Sequence, residues 1–289
     1  MSSSEEQAGS LENLGGFGQS LGAGFASGMV VTALLNPYDR ALFLSVRGKR
    51  PFLVCENWTT PFQGVGQTLV SRSLSTGLFF PLEELGRSQA VSILGLDERG
   101  AATDVAAGNF AGLVNAFLLS PFAAVKYMAW GRAGSKQQTI SKAAIATWRR
   151  GGLAAFFTGF GATVARDVTF GALFSFLRRR LRLFFYGHKA AYEEHKTCFC
   201  ADAAAASLAA VASGPFNYAR NRQFAHHSKN KSPPSVIASL LYFRHALHQR
   251  DTLYAKARYA QTRLMIGWGT LRVAAGMGLS SLCYNFLIR

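Results

Sequence analysis

Six stretches of the chain combine long apolar runs with isolated polar residues, at approximately 16–42, 66–87, 105–128, 161–184, 199–222 and 264–287. A helix crosses a bilayer in roughly 20 residues, so each stretch is long enough to span. The pattern predicts an all-α membrane protein with six transmembrane helices. Small residues recur at four-residue spacing inside the odd-numbered spans: Gly18, Gly22, Gly24 and Gly28 in the first, and Gly108 and Gly112 in the third. The fifth uses alanines from Ala203 to Ala212 instead. In lipid, where no hydrophobic force pushes helices together, such spacing lets backbones approach closely.

The spans are not purely apolar. Gln19, Gln67, Ser71, Arg72, Asn109, Asn115, Arg166, Asp167 and Arg272 all fall inside them. Ionisable groups at membrane depth are costly and usually face a bundle interior or a water-filled cavity. A mean hydropathy of only +0.12 fits a protein with much of its helical surface turned away from lipid.

Charge orients the spans. The net charge is +16 although only 16% of residues are charged. The basic residues cluster on alternate connections, which favours a membrane over a nucleic-acid partner. Residues 40–62 carry four Lys/Arg and one acid, 126–157 six and none, and 220–263 nine and one. The opposite side has Glu5, Glu6 and Glu12 in the tail, and Asp97, Glu98 and Asp104 against Arg99 in 88–104. Positive charge therefore collects after spans one, three and five, with both termini expected on the other side. The connection at 178–202 is an exception, with Arg178, Arg179, Arg180 and Arg182 partly offset by acids.

Candidate reactive chemistry is sparse. Cys55, Cys198, Cys200 and Cys283 have neither zinc spacing nor a secreted disulfide pattern, and His226-His227 reads as a solvated pair. No metal site, phosphate loop or nucleophile elbow is expected, so an enzyme has little support. MSSSEEQAGSLEN lacks the basic or apolar character of a cleavable address, so any organelle signal is expected within the chain.

A threefold repeat underlies the spans. Each odd span ends on a proline followed by polar residues at helical spacing: Pro37-Tyr-Asp39, Pro121-Phe-Ala-Ala-Val-Lys126 and Pro215-Phe-Asn217-Tyr-Ala-Arg220. The prolines lie 84 and 94 residues apart. Each removes a helical hydrogen bond, so three kinks are expected to draw the odd helices together at one end. The even spans match as well: Phe62-Gln-Gly64-Val-Gly-Gln-Thr68 parallels Phe157-Thr-Gly159-Phe-Gly-Ala-Thr163. The third copy, Ile266-Gly267-Trp268-Gly269-Thr270, runs about two residues out of phase.

Along residues 15–289 these features resemble the mitochondrial carrier family (solute carrier family 25 type), whose odd helices carry Pro-x-[Asp/Glu]-x-x-[Lys/Arg] and are followed by an aromatic-x-Gly turn. Residues 156–174 carry the likeness most clearly. The resemblance implies three pseudosymmetric two-helix repeats around a central cavity: an N-terminal tail 1–14, then repeats 15–100, 101–195 and 196–289. It also implies the mitochondrial inner membrane, two gates that open alternately, and no cofactor beyond bound cardiolipin.

Carried over residue by residue, the matrix gate would use Asp39, Lys126, Arg220 and Asn217. Asp39 with Lys126 is its one complete pair, since Ala123 and Leu42 hold positions where the family has charges. The intermembrane-space gate would use Glu84, Arg87 and Arg182, with Glu84–Arg182 as its possible pair. Substrate contacts map to Ser71, Arg166 and Arg272, thirteen residues before the even-helix acidic positions, with Arg72 and Asp167 adjacent. Two guanidiniums suit a carboxylate or phosphate, and Asp167 suits an amino group. Arg166–Asp167 reads equally as an internal structural pair. Gly64, Gly159 and Gly267 open helices whose free amides suit a lipid phosphate, and they read equally as plain caps and turns. The Arg178–Arg180 run at a helix end reads as a lipid-headgroup contact, the preferred expectation, or as an unusual gate.

Two functions follow. The first is a carrier moving a small anionic or zwitterionic metabolite, amino-acid-like in preference, by alternating access. The second is a carrier-fold subunit that has lost transport and serves a large inner-membrane protein complex. The incomplete gates and the short first matrix connection (27 residues from Pro37 to Gly64, against 38 and 52 later) point to the second.

Overall fold

The computed structural model describes residues 2–48, 51–59, 61–62, 65–130, 139–192, 198–228 and 231–288. Its regular structure there is helical throughout. Six helices are long: α1 Ser2–Gly48, α2 Val65–Leu94, α3 Ala101–Trp130, α5 Phe160–Tyr192, α6 Phe199–Ser228 and α9 Trp268–Leu287. Three are shorter: α4 Ile140–Phe156, α7 Val236–His248 and α8 Leu253–Leu264; Cys55–Trp58 forms a 3-10 turn. The acidic stretch before residue 15 joins the first span, since α1 starts at Ser2.

The long helices pack in a closed circuit. α1 lies on α2, α2 on α3, α3 on α5, α5 on α6, α6 on α9, and α9 returns to α1. α4 rests on α3, while α7 and α8 rest on α6. Ser235 and Thr252 cap α7 and α8 by accepting from the amides of Ala238 and Ala255, each satisfying one of the first-turn N–H groups that have no helical partner.

Glycine brings neighbouring helices into backbone contact. A Cβ on Gly24 would collide with the Gly77 carbonyl, so α1 and α2 meet backbone to backbone. α3 and α5 do the same at Gly108 against Gly171 and at Gly112 against the backbone of Asp167. Gly18 and Gly22, in the same run as Gly24, meet nothing within 4 Å. Their spacing is right, but the face they occupy has no partner there.

Pro37, Pro121 and Pro215 all lie inside their helices, α1, α3 and α6, and Pro81 lies inside α2. Among the described residues, four helices are long and apolar enough to cross a membrane: Gly18–Leu42, Ala101–Tyr127, Phe160–Gly187 and Phe199–His227. α2 and α9 are not among them, although both reach span length. α2 carries Glu83, Glu84 and Arg87, and α9 is rich in Gly, Ser and Thr. Such groups lower the mean hydropathy of a helix wherever they point.

The apolar core lies between the long helices. It gathers Ala23 of α1, Phe79, Phe80 and Leu82 of α2, Ala111 of α3, Phe174 of α5, Ala205, Ala206 and Ala209 of α6, and Met277 and Tyr284 of α9. All six long helices contribute, so this one core ties the circuit together.

Candidate solute cavity and its closures

A cavity of about 370 Å³ sits between the six long helices, lined by residues of each. Leu42 comes from α1, Ser75 and Phe79 from α2, Gly112 and Asn115 from α3. α5 gives Arg166, Asp167 and Phe170; α6 gives Ser213, Asn217, Arg220 and Asn221; α9 gives Thr270, Arg272 and Gly276. The volume lies near the lower end of the range for small-molecule sites, roughly 300–1,000 Å³.

Several sequence-derived site residues therefore share one space. Arg166 and Asp167 are half-buried, and the Arg166 Nε donates to Asp167 Oδ1 at 2.6 Å. Arg220 donates from Nη2 to Asn217 Oδ1 at 2.8 Å, one turn back on α6. Arg272 is more constrained: its Nε and Nη2 grip both oxygens of Asp39 at 2.6 and 2.7 Å, and both residues are buried. Gly276 leaves room for that guanidinium, because a Cβ there would lie 3.0 Å from Nη1. The carboxylate that reads in sequence as a matrix-gate acid is thus held by the arginine that reads as a substrate contact. Lys126 is half-buried on α3.

The helix starts explain this placement. Arg166 lies six residues past the first residue of α5, and Arg272 only four past that of α9. Counting from the far ends of the helices hides this offset. Around the Asp39–Arg272 pair, Tyr38 Oη donates to the Trp268 carbonyl at 2.7 Å. Buried Phe52 stacks on Trp268 with centroids 4.7 Å apart and contacts Tyr38 and Trp58. Asn36 Nδ2 donates to the Pro61 carbonyl at 2.7 Å. α1 and α9 are fastened together at this end.

The opposite end is closed by two layers, and α5 shows their order. Asp167 and Phe170 line the cavity, Phe174 follows one turn later, then Arg178 and Arg182, all on one face at helical spacing. The first layer is aromatic. Phe174 stands 5.5 Å from Phe79 and 5.8 Å from Phe170, and Phe80 stacks on Tyr284 at 5.1 Å. The second layer is ionic. Arg182 donates to both oxygens of Asp202 at 2.8 and 2.7 Å and to Ser281 Oγ at 3.2 Å. Arg178 donates to Glu83 at 2.9 Å, approaches Asp202 at 3.6 Å, and lies over the Phe80 ring. Arg87 and Arg179 converge on Asp104 Oδ1 at 2.9 and 3.0 Å.

This ionic layer differs from the even-helix gate read in the sequence. Arg87 and Arg182 take part, but the carboxylates opposite them, Asp104 and Asp202, stand at the starts of α3 and α6. Glu84 accepts from Ser20 Oγ at 3.4 Å. Antiparallel packing sets each odd helix's start beside an even helix's end, a relation that a motif within one helix does not express. One signal could have found the two acids. Asp104 precedes Gly108 by one turn, as Asp202 precedes Ala206, so both share an offset from the small-residue run. The expectation that Arg178–Arg180 meets lipid headgroups is corrected in part: α5 continues well past residue 180, and Arg178 and Arg179 turn inward to acids. Only Arg180 is exposed, lying over Phe176.

Of the remaining sequence-derived positions, Gly159 has φ +77° and backs onto Gln223 and Phe224 of α6, while Gly267, with φ +105°, caps α9. Both conformations favour glycine whether or not a lipid is bound. Gly64 lies outside the described residues, as do the side chains of Ser71 and Arg72. Among the described residues no group of His, Cys, Asp and Glu has the spacing to hold a metal ion.

Residues 97–189, from just before α3 to near the end of α5, match the family model described as mitochondrial carrier protein. No curated protein matches the chain significantly.

Proposed function

We propose that this chain is a carrier of the mitochondrial carrier type, which moves a small anionic or zwitterionic metabolite, amino-acid-like in preference, across the mitochondrial inner membrane by alternating access. The observation that carries the reading is the central cavity, to which each of the six long helices contributes and which Arg166, Arg220 and Arg272 line against Asp167. Arg272 is paired with Asp39 and Arg166 with Asp167, so a solute carrying both a carboxylate and an ammonium group would exchange with the half-buried Arg166–Asp167 contact. Guanidinium groups hold carboxylates through paired N–H donors. In this reading α2 and α9 cross the membrane with the four more apolar helices, and their polar groups turn to the cavity and the ionic layer. In the same reading the aromatic and ionic layers serve as the closed intermembrane-space gate. The basic connections face the matrix.

Purified protein reconstituted into liposomes, offered a panel of amino acids, oxo acids and nucleotides, tests this directly. Uptake of at least one small carboxylate is expected. Arg166→Ala should abolish it while the protein remains folded, because an arginine lining a wet cavity is not needed for packing. No uptake of any panel member, or full uptake by Arg166→Ala, overturns the reading.

A second reading, a carrier-fold subunit of an inner-membrane assembly, is favoured by one observation: both ends of the circuit carry buried ion pairs, Asp39–Arg272 at one and Arg182–Asp202 at the other. Alternation must break one set in each cycle. If the assembly reading holds, Arg166→Ala leaves co-purification with partner subunits unchanged.

A further inference from the structure

The connection between α6 and α9 is the longest of the three basic ones. From Pro215 to Gly267 it runs 52 residues, against 38 for its counterpart from Pro121 to Gly159. The surplus is close to the 13 residues of α7, so α7 is the element that the third repeat adds. It does not stand away from the bundle. Gln223 Nε2 donates at 2.8 Å to the carbonyl of Pro234, just ahead of α7. The Arg222 guanidinium lies 3.6 Å from the centroid of the Tyr242 ring, and Phe243 packs on Tyr218 at 5.2 Å. α7 is thus fixed against residues 218–223 of α6. The apolar span of α6, Phe199–His227, has 29 residues. At 1.5 Å per residue that is about 43 Å, longer than the roughly 30 Å of bilayer hydrocarbon. Its final turns therefore pass through the headgroup zone, and α7 flanks the bundle at that level.

Two properties of the outward side suit a bilayer. The first is apolar surface. Ile237 and Leu241 follow one another at helical spacing, 71% and 58% exposed, and Leu253 and Tyr254 at the start of α8 are 84% and 78% exposed. The second is charge. Neither α7 nor α8 contains an acidic residue, while Arg244, Arg250, Arg258 and Arg263 are exposed. Arg250 and Arg263 stand 5.1 and 5.5 Å from the centroid of the Tyr259 ring, and neither forms a salt bridge among the described residues. Tyr259 in turn stacks on Phe243 at 5.8 Å, which ties both guanidiniums to α7.

We propose that α7 and the start of α8 form an in-plane anchor on an anionic phospholipid bilayer, with Ile237, Leu241 and Leu253 among the acyl chains and Arg250 and Arg263 at the lipid phosphates. Helices that pair protruding apolar side chains with arginines lie in the interface in this way. Guanidiniums also match phosphate oxygens as paired donors. An acidic soluble protein would match the charges, but the depth of α7 beside the α6 span favours lipid. The anchor requires only that the chain spans a bilayer, so a failure to find any transported solute leaves it standing.

Full-length protein carrying a single fluorophore tests the apolar half. The label is placed at Leu241→Cys with the native cysteines replaced, or at Cys55 as the sole cysteine, on another basic connection. Each protein is set in nanodiscs of phosphatidylcholine mixed with phosphatidylglycerol, whose two faces are both open to added iodide. The label at 241 is expected to be quenched by brominated acyl chains and to be several-fold less open to iodide than the label at Cys55. Equal access of iodide to both overturns the proposal. Shielding of 241 from both quenchers also overturns it, in favour of a second copy of the chain packed on α7. The charged half is tested by Arg250→Gln with Arg263→Gln, both exposed, through lipid binding to the detergent-purified protein in native mass spectrometry. Each arginine near an anionic lipid surface contributes about fivefold, so affinity for phosphatidylglycerol should fall on the order of 25-fold while that for phosphatidylcholine holds. No loss, or a loss shared equally by phosphatidylcholine, overturns the assignment of the phosphates.

Discussion

Removing the Asp202 carboxylate tests the ionic layer most directly. Arg182 is held by Asp202 through two bonds of 2.8 and 2.7 Å and by Ser281, and the two side chains are 4% and 0% exposed. Asp202→Asn keeps the shape and removes the charge, leaving a buried guanidinium facing an amide. Breaking a buried pair from one side costs about 3–5 kcal/mol. The asparagine keeps one acceptor oxygen, so the low end of that range, about 3 kcal/mol, is expected. At roughly 2–4 °C per kcal/mol the melting temperature should fall by about 6–12 °C. Thermal unfolding of the purified protein in detergent, followed by tryptophan fluorescence, reads this. Arg180→Gln, at an exposed position two residues away, should stay within about 0.5 kcal/mol of wild type. The double variant Arg182→Met with Asp202→Leu should be more stable than either single change, because a packed apolar pair leaves no buried charge behind. Arg178 keeps Glu83 in every variant, so the aromatic layer beneath it stays covered. Melting of Asp202→Asn within about 2 °C of wild type would refute the reasoning, as would a double variant worse than the sum of its parts.

Two further outcomes follow from the packing and the charge pattern. Gly108→Leu forces a side chain into the Gly171 carbonyl and is expected to cost about 3 kcal/mol or more, while Gly22→Ala, with nothing within 4 Å, should be close to neutral. Folded yield after detergent extraction and melting temperature separate the two, and equal effects would remove the close-approach account of the α3–α5 contact. Cys55, exposed on the connection between α1 and α2, should react with a membrane-impermeant thiol reagent from the side opposite a cysteine engineered near the N-terminus. Labelling of both from one side would refute the assignment of the basic connections to a common face.

The close contacts at Gly24, Gly108 and Gly112 and the prolines inside α1, α3 and α6 were legible as local patterns. A small residue every four positions, or a proline at the end of an apolar run, depends only on neighbours within the same helix. The crowding of Arg166, Asp167 and Arg272 toward an interior was legible for a similar reason, since lipid excludes unsatisfied charge. The partners of the charges were not. Asp39 is held by Arg272, 233 residues away, and Arg182 by Asp202 on a different helix. Gly22 and Gly24 show the same limit on one helix: both belong to the small-residue run, yet only Gly24 touches α2. A helix turns about 100° per residue, so a slip of one residue or a modest rotation of its neighbour hands a side chain to another partner. Periodicity along one segment therefore determines which face turns inward, whereas the height and rotation of the opposing helix decide what that face meets. Only the packed circuit of six long helices sets those two quantities, and with them the ionic layer and the Asp39–Arg272 pair.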